Sequence, residues 1–246
     1  MDVSRVIAMR RSRVPWVLGQ VGLVLLGAFV YFRIRGLTDA ARGIAEEHAR
    51  QIIDFEKATG LHFEAAFQRP VDASETVETL ANWVYIWGHW PVIIVTMIWL
   101  VWRHRPQFLR LRDAMMVSGA LGMVVFVTYP VAPPRLAGLG LVDTVTESSH
   151  AYRILQPPAF VNQYAALPSL HSGWDLLVGM AIFSAATSVF LKIVGCVMPV
   201  LMAAAVIATA NHFVVDVVAG IALVLVGHAV ALALERRRVR RGRQPA

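Results

Sequence analysis

Thr209-Ala210-Asn211-His212-Phe213-Val214-Val215-Asp216 puts an imidazole and a carboxylate four residues apart at the start of an apolar run. On a helix that spacing places both side chains on one face, about one turn apart. A carboxylate beside an imidazole fixes its tautomer and makes the free ring nitrogen a better base or nucleophile. Such pairs are common on solvated helices, but in an apolar span an ionisable group is expensive and marks function. A second pattern, Pro168-Ser169-Leu170-His171, opens another apolar run. Ser169 is placed to cap the helix that follows. The uncovered N–H groups of Ser169 and Leu170, at the positive end of a helix dipole, suit a phosphate. His171 falls in the first turn, beside any anion held there. Pro130-Val131-Ala132-Pro133-Pro134-Arg135 holds a guanidinium stiffly nearby, either as a phosphate clamp or as a snorkelling anchor. Asn162, Tyr164, Trp174, Asp175 and His89 are candidates to line a headgroup or acceptor pocket. Capping, an interfacial belt and polar contacts between helices are the alternative roles for these five. His228, deep in the last apolar run, reads as a packing histidine.

These groups need elements that bring them to one depth. The chain has 246 residues, 57% hydrophobic and 16% charged, a balance that excludes a freely soluble enzyme and a disordered chain. Charge-free stretches of about 20 residues are long enough to span a bilayer. The spacing predicts six transmembrane helices, at 14–32, 83–102, 114–131, 170–189, 192–211 and 213–234. The fold class expected is an all-α integral membrane protein. Arg33 and Arg35 follow the first stretch with no small-residue cleavage site, so it reads as a retained anchor rather than a signal peptide.

The positive charge alternates along the chain. Residues 1–13 carry +3, 103–113 carry +3, Lys192 adds +1 and 235–246 carry +5; residues 33–82 carry −3 and 132–169 are neutral. Basic flanks mark the cytoplasmic side, so both termini are expected in the cytoplasm of a multi-pass cell-membrane protein. The starts of the fourth and sixth helices, with His171 and His212, then share the extracytoplasmic side. The chain divides into a basic N-terminus (1–13), a first helix (14–32), an extracytoplasmic segment (33–82), a transmembrane core (83–234) and a basic tail (235–246). The tail reads as a topology determinant or anionic-lipid contact rather than a nucleic-acid site. Leu37, Ala41, Ile44, Ala45, Ala49 and Ile52 have helical spacing, which predicts an amphipathic helix on the outer membrane surface. Cys196 is the single cysteine, so neither an intrachain disulfide nor a cysteine metal site is available.

At Pro168-Ser169-Leu170-His171 and His212-Phe213-Val214-Val215-Asp216 the sequence resembles the type-2 phosphatidic acid phosphatase (PAP2) superfamily. It looks most like the branch of inositol phosphorylceramide and sphingomyelin synthases, over roughly residues 80–234. Pro-Ser-Gly-His is the family's second motif, and His-x-x-x-Asp ends its third. Ala205 and Val206 stand where the lipid phosphatases carry Ser-Arg, as they do not in the synthase branch. The Arg105-Pro106 pair has the letters of the first motif but lies on the predicted cytoplasmic side.

The resemblance implies a PAP2-like helical bundle and phosphoryl transfer through a phosphohistidine, without metal or other cofactor. His212 would attack phosphorus, oriented by Asp216; His171 would protonate the departing oxygen and then act as base toward water or an alcohol. Arg135 and the Ser169 and Leu170 amides would hold the non-bridging oxygens. The implied partner is a phospholipid or polyprenyl phosphate within the bilayer, with a possible alcohol acceptor. No cluster of carboxylates of the kind that binds metal is evident in the sequence. Two readings from other classes stay open: a haem or zinc protein using His171 and His212 as ligands, and a non-catalytic transporter or scaffold.

Overall fold

The computed structural model describes residues 14–27, 29–30, 42–145 and 163–241. Its helices are α1 (Val14–Gly27), α2 (Arg42–Thr59), α3 (Glu64–Asp72), α4 (Glu75–Trp87), α5 (Trp90–Arg103), α6 (Arg105–Thr128), α7 (Leu170–Ala185), α8 (Val189–Ala208) and α9 (Val214–Arg241). Among the described residues, α6, α8 and α9 are long and apolar enough to cross a membrane. The bent pair α4–α5 makes a fourth if it forms one span. That arrangement fits a multi-pass membrane protein, and it redraws several of the expected spans.

The stretch expected at 83–102 is two helices meeting at 41°. The break falls at Gly88-His89, where Pro91 in the first turn of α5 brings no N–H to an α-helical ladder. α6 starts at Arg105, nine residues before the expected 114. The polar turn this adds is tolerated because its charges pair. Asp113 meets Arg112 and, at 2.6 Å, Arg238 of α9, while Arg110 forks onto Glu235 at 2.8 and 3.1 Å. Residues 235–241 therefore continue α9 instead of forming a separate tail, and part of their charge is spent on α6. α7 has only 16 residues, and its first two turns carry His171, Ser172 and Asp175.

α7 is the central post. It packs against α5, α6, α8 and α9, with Leu170, Trp174, Leu177 and Val178 buried among Leu100, Phe108, Phe126 and Val224. Two glycines set its approach to α9. A Cβ on Gly220 would lie 2.2 Å from the Ser169 carbonyl oxygen, and one on Gly173 would lie 2.6 Å from Val224 Cγ1 and 2.8 Å from the Gly220 carbonyl oxygen. Only hydrogen fits at either position. In contrast, Ile94, Val95 and Ile98 of α5 and Val189, Phe190 and Val200 of α8 are exposed. Single apolar helix faces of this kind are what a lipid surround accommodates.

α2 buries Ala45, Ala49 and Ile52 of the expected amphipathic pattern but leaves Ile44 exposed, while Leu37 and Ala41 lie outside the described residues. Its apolar edge is turned onto protein rather than onto a membrane surface alone. Ala45, Ala49, Ile52 and Ile53 pack with Val131, Ala132, Ala166 and Phe213. α2 ends at Thr59, and α3 and α4 follow it before the bend into α5.

Candidate active site

Three chain segments converge at one end of α7. Val131 pairs with the 164–166 segment through Val131 N–H to the Tyr164 carbonyl (2.8 Å) and Ala166 N–H to the Val131 carbonyl (3.2 Å). That short ladder carries Pro168 and Ser169 into α7. Ser169 is the N-cap, its side chain accepting the Ser172 N–H at 3.4 Å. Its own N–H donates to the Asp216 carbonyl at 2.9 Å. The starts of α7 and α9 are therefore stitched together directly.

The α8–α9 break presents His212. Ala210 there has φ +54°, a left-handed backbone that non-glycine residues rarely adopt and that functional sites often hold. His212 Nδ1 lies 2.8 Å from the Ala166 carbonyl oxygen and 3.5 Å from Asp216 Oδ2. A carbonyl only accepts, so Nδ1 carries the hydrogen and the Nε2 of the neutral ring keeps its lone pair. Asp216 Oδ2 also accepts the Phe213 N–H at 2.9 Å. Asp216 thus backs His212 and caps the start of α9, the helix that His212 directly precedes.

The imidazoles gather on the other side of this pair. The His171 ring lies 5.9 Å from that of His212, 4.3 Å from that of His89 and 4.8 Å from Tyr85, on which it stacks. His89 sits at the α4–α5 bend, and its Nδ1 donates to Asp175 Oδ1 at 2.7 Å. Both members of this second His–Asp pair are buried. Trp174 stacks on His89 with centroids 6.2 Å apart, and its indole N–H donates to Ser118 Oγ at 3.2 Å.

A family model described as the PAP2 superfamily matches residues 50–230. This chain belongs to the PAP2 superfamily. Comparison with curated proteins and with solved structures found no match. Membership suggests a phosphatase-type enzyme, and with the apolar helices it suggests a membrane lipid as substrate.

Within this PAP2 chain the candidate residues separate into those that meet and those that do not. His171, His212 and Asp216 come together, and His89 and Asp175 join them as a pair. Trp174 packs on that pair. Tyr164 instead packs with Ala45, Ala49 and Phe213 under the pairing of the two loops. Asn162 lies outside the described residues. His228 is remote, on a cavity of about 110 Å³ lined by Arg110, Met180 and Ser184.

Two of the expected phosphate-binding groups have partners of their own. The Ser169 amide is spent on the Asp216 carbonyl, which leaves the Leu170 amide as the helix-start donor. Arg135 is not a free clamp. Its Nε meets Asp143 Oδ2 at 2.9 Å, its Nη1 donates to Asn211 Oδ1 at 2.5 Å, and its backbone N–H donates to the Ala210 carbonyl at 3.1 Å. Nor is it a snorkelling anchor, because it is held against the loop that presents His212. Asp143 and Asn211 give no recognisable pattern in the sequence, although Asn211 adjoins His212.

The fold also assembles two carboxylates, Glu56 and Glu64, that are 8 residues apart in sequence and form no local motif there. Glu56 Oε1 accepts the Val215 N–H at 2.8 Å, and Glu64 Oε1 accepts the Val214 N–H at 3.1 Å. Both side chains are fully buried, with His62 beside them. Burial pushes the Glu56 carboxyl up to about 8, against the pull of the Val215 amide. The expected absence of clustered carboxylates is overturned here.

Proposed function

We propose that this PAP2 protein transfers the phosphoryl or phospho-headgroup of a membrane lipid to water or an alcohol, through a phosphohistidine at His212. The observation that carries the reading is the pairing of His212 and His171 at adjacent helix starts. One ring is fixed as an Nδ1–H tautomer with Nε2 free, and the other lies 5.9 Å away. His212 Nε2 attacks phosphorus as the P–O bond to the leaving group breaks, and His171 gives that oxygen a proton. His171 then takes a proton from the acceptor hydroxyl as it attacks, and the P–N bond breaks. Phosphoryl transfer demands mainly positioning and charge stabilisation, which the Leu170 amide and the tethered Arg135 are placed to supply. His89–Asp175 acts as a positioning pair for His171.

A lipid substrate is supported by a second feature. An apolar cavity of about 470 Å³ lies between α1, α5 and α6, lined by Leu23, Met97 and Met116 among others. It reaches Trp90 and Trp174, the two indoles that contact His89. A hydrocarbon tail in this cavity would leave its phosphate beside the histidines. The alternating charge supports six spans, cytoplasmic termini and an extracytoplasmic site.

The test is turnover by the purified full chain in detergent. Phosphatidic acid, polyprenyl diphosphate and phosphatidylinositol would each be supplied with and without ceramide. Release of phosphate or formation of a new phospholipid, absent in His212→Ala, is the expected result. The synthase-like His212-Phe213-x-x-Asp216 form favours the product of transfer over that of hydrolysis. Unchanged turnover in His212→Ala would contradict the reading. A Soret band, or bound metal lost in both His171→Ala and His212→Ala, would favour the haem or zinc alternative.

A further inference from the structure

We infer that Glu56, His62 and Glu64 form a binding site for one divalent transition-metal cation, separate from the phosphoryl-transfer centre. The three residues occupy the turn between α2 and α3. Each glutamate commits one oxygen to the first amides of α9, Glu56 Oε1 to Val215 and Glu64 Oε1 to Val214. The second oxygens face each other across His62. Nδ1 of His62 lies 3.0 Å from Glu64 Oε2 and 3.9 Å from Glu56 Oε2, and all three atoms fall within 4.8 Å of one another.

Among the described residues, none of these three atoms makes a hydrogen bond. The 3.0 Å contact is near but not aligned as one. Both carboxylates are 0% exposed, and two buried negative charges this close are costly unless a cation or a shared proton sits between them.

Spacing and donor type point to the kind of charge. Tetrahedral ligands at about 2.0–2.1 Å from a zinc ion stand about 3.3 Å apart. The 3.0 and 3.9 Å separations bracket that value. One imidazole and two carboxylates suit zinc or manganese better than calcium, which takes more oxygens. His62 is partly exposed, which leaves a route for the ion and a fourth position for water.

The consequence is mechanical. The ion would lock the α2–α3 turn against Val214 and Val215, the first residues of α9, which lie between His212 and Asp216 in sequence. The site is outside the reaction centre and does not depend on the function proposed above.

The test uses the tag-free full chain in detergent, stripped with chelator and then titrated with Zn²⁺, with Mg²⁺ and Ca²⁺ as comparison ions. Bound metal would be counted by mass spectrometry and thermal melting followed in parallel. One zinc per chain and a raised melting temperature are expected. At least tenfold weaker binding is expected in Glu64→Gln and in His62→Ala, and unchanged binding in His212→Ala. His62→Ala leaves both glutamate caps in place, so it keeps the test valid should Glu64→Gln unfold. Absence of bound zinc in the wild type, or zinc retained in His62→Ala but lost in His212→Ala, would overturn the inference. A proton shared between the glutamates would then explain the pair.

Discussion

His89 and Asp175 meet at 2.7 Å inside the bundle, 86 residues apart in sequence, with the His89 ring 4.3 Å from that of His171. Among the described residues the second oxygen of Asp175 has no hydrogen-bond partner, so the carboxylate is committed to His89. We predict that Asp175→Asn folds but turns over about 10- to 100-fold more slowly, the range for losing the partner that orients a functional histidine. The loss should fall on kcat with KM unchanged, because the pair orients His171 and does not hold the lipid. A loss of rate that only follows a lowered melting temperature would reduce the pair to packing.

His171 and His212 carry different duties, and leaving-group chemistry separates them. A general acid contributes about 10²–10⁴-fold, and less when the departing oxygen is already a stable anion. His171→Ala should therefore recover much of its lost rate on an aryl phosphate with an acidic phenol. His212→Ala should recover none, since the attacking nitrogen is gone. Equal defects on both substrates would contradict the assignment.

The α7–α9 crossing holds the two histidines at their separation. A methyl on Gly220 would meet the Ser169 carbonyl oxygen at 2.2 Å, and backbone cannot yield as a flexible side chain does. Gly220→Ala should cost about 1–3 kcal/mol, read as a lower melting temperature. Activity should fall further than stability, because the Ser169 amide and the Asp216 carbonyl are pushed apart. Gly43→Ala, with open space around it, is the control.

If the cavity beside Trp174 holds a hydrocarbon tail, filling it discriminates between substrates. Met97→Trp should raise KM for long-chain lipid phosphates while leaving a short soluble phosphate ester unaffected. Parallel losses on both would place the tail elsewhere.

Much of the site was legible because its chemistry is local in sequence. His212 and Asp216 are four residues apart and Pro168 through His171 form one helix start, so spacing alone announces them, although His212 stands just before α9 and only Asp216 is on it. His89–Asp175 was visible only as two separate polar residues in apolar runs; no local pattern joins them. Glu56 and Glu64 were hidden for the opposite reason. They sit among charged neighbours in a segment that reads as solvated, and only the fold turns them inward to cap α9. Arg135 was found, but not its partners, because Asp143 and Asn211 approach it from different loops.

The spans show the same limit. Hydropathy marks where apolar sequence lies but not where a helix breaks, so the Gly88-His89 bend was passed over as one straight segment. Charge counting likewise treats each Arg as free. Arg238 and Arg110 instead find Asp113 and Glu235 across α6 and α9, which lengthens both helices beyond their apolar stretches.

The covalent intermediate is the most direct test of the proposed function. The wild-type chain would be mixed with a ³²P-labelled lipid phosphate that it turns over, quenched in alkali to preserve a P–N bond, and digested. Label on the peptide containing His212, lost in His212→Ala, is the predicted result. An active wild-type chain that carries no label, or carries it on any residue other than His212, would contradict the account.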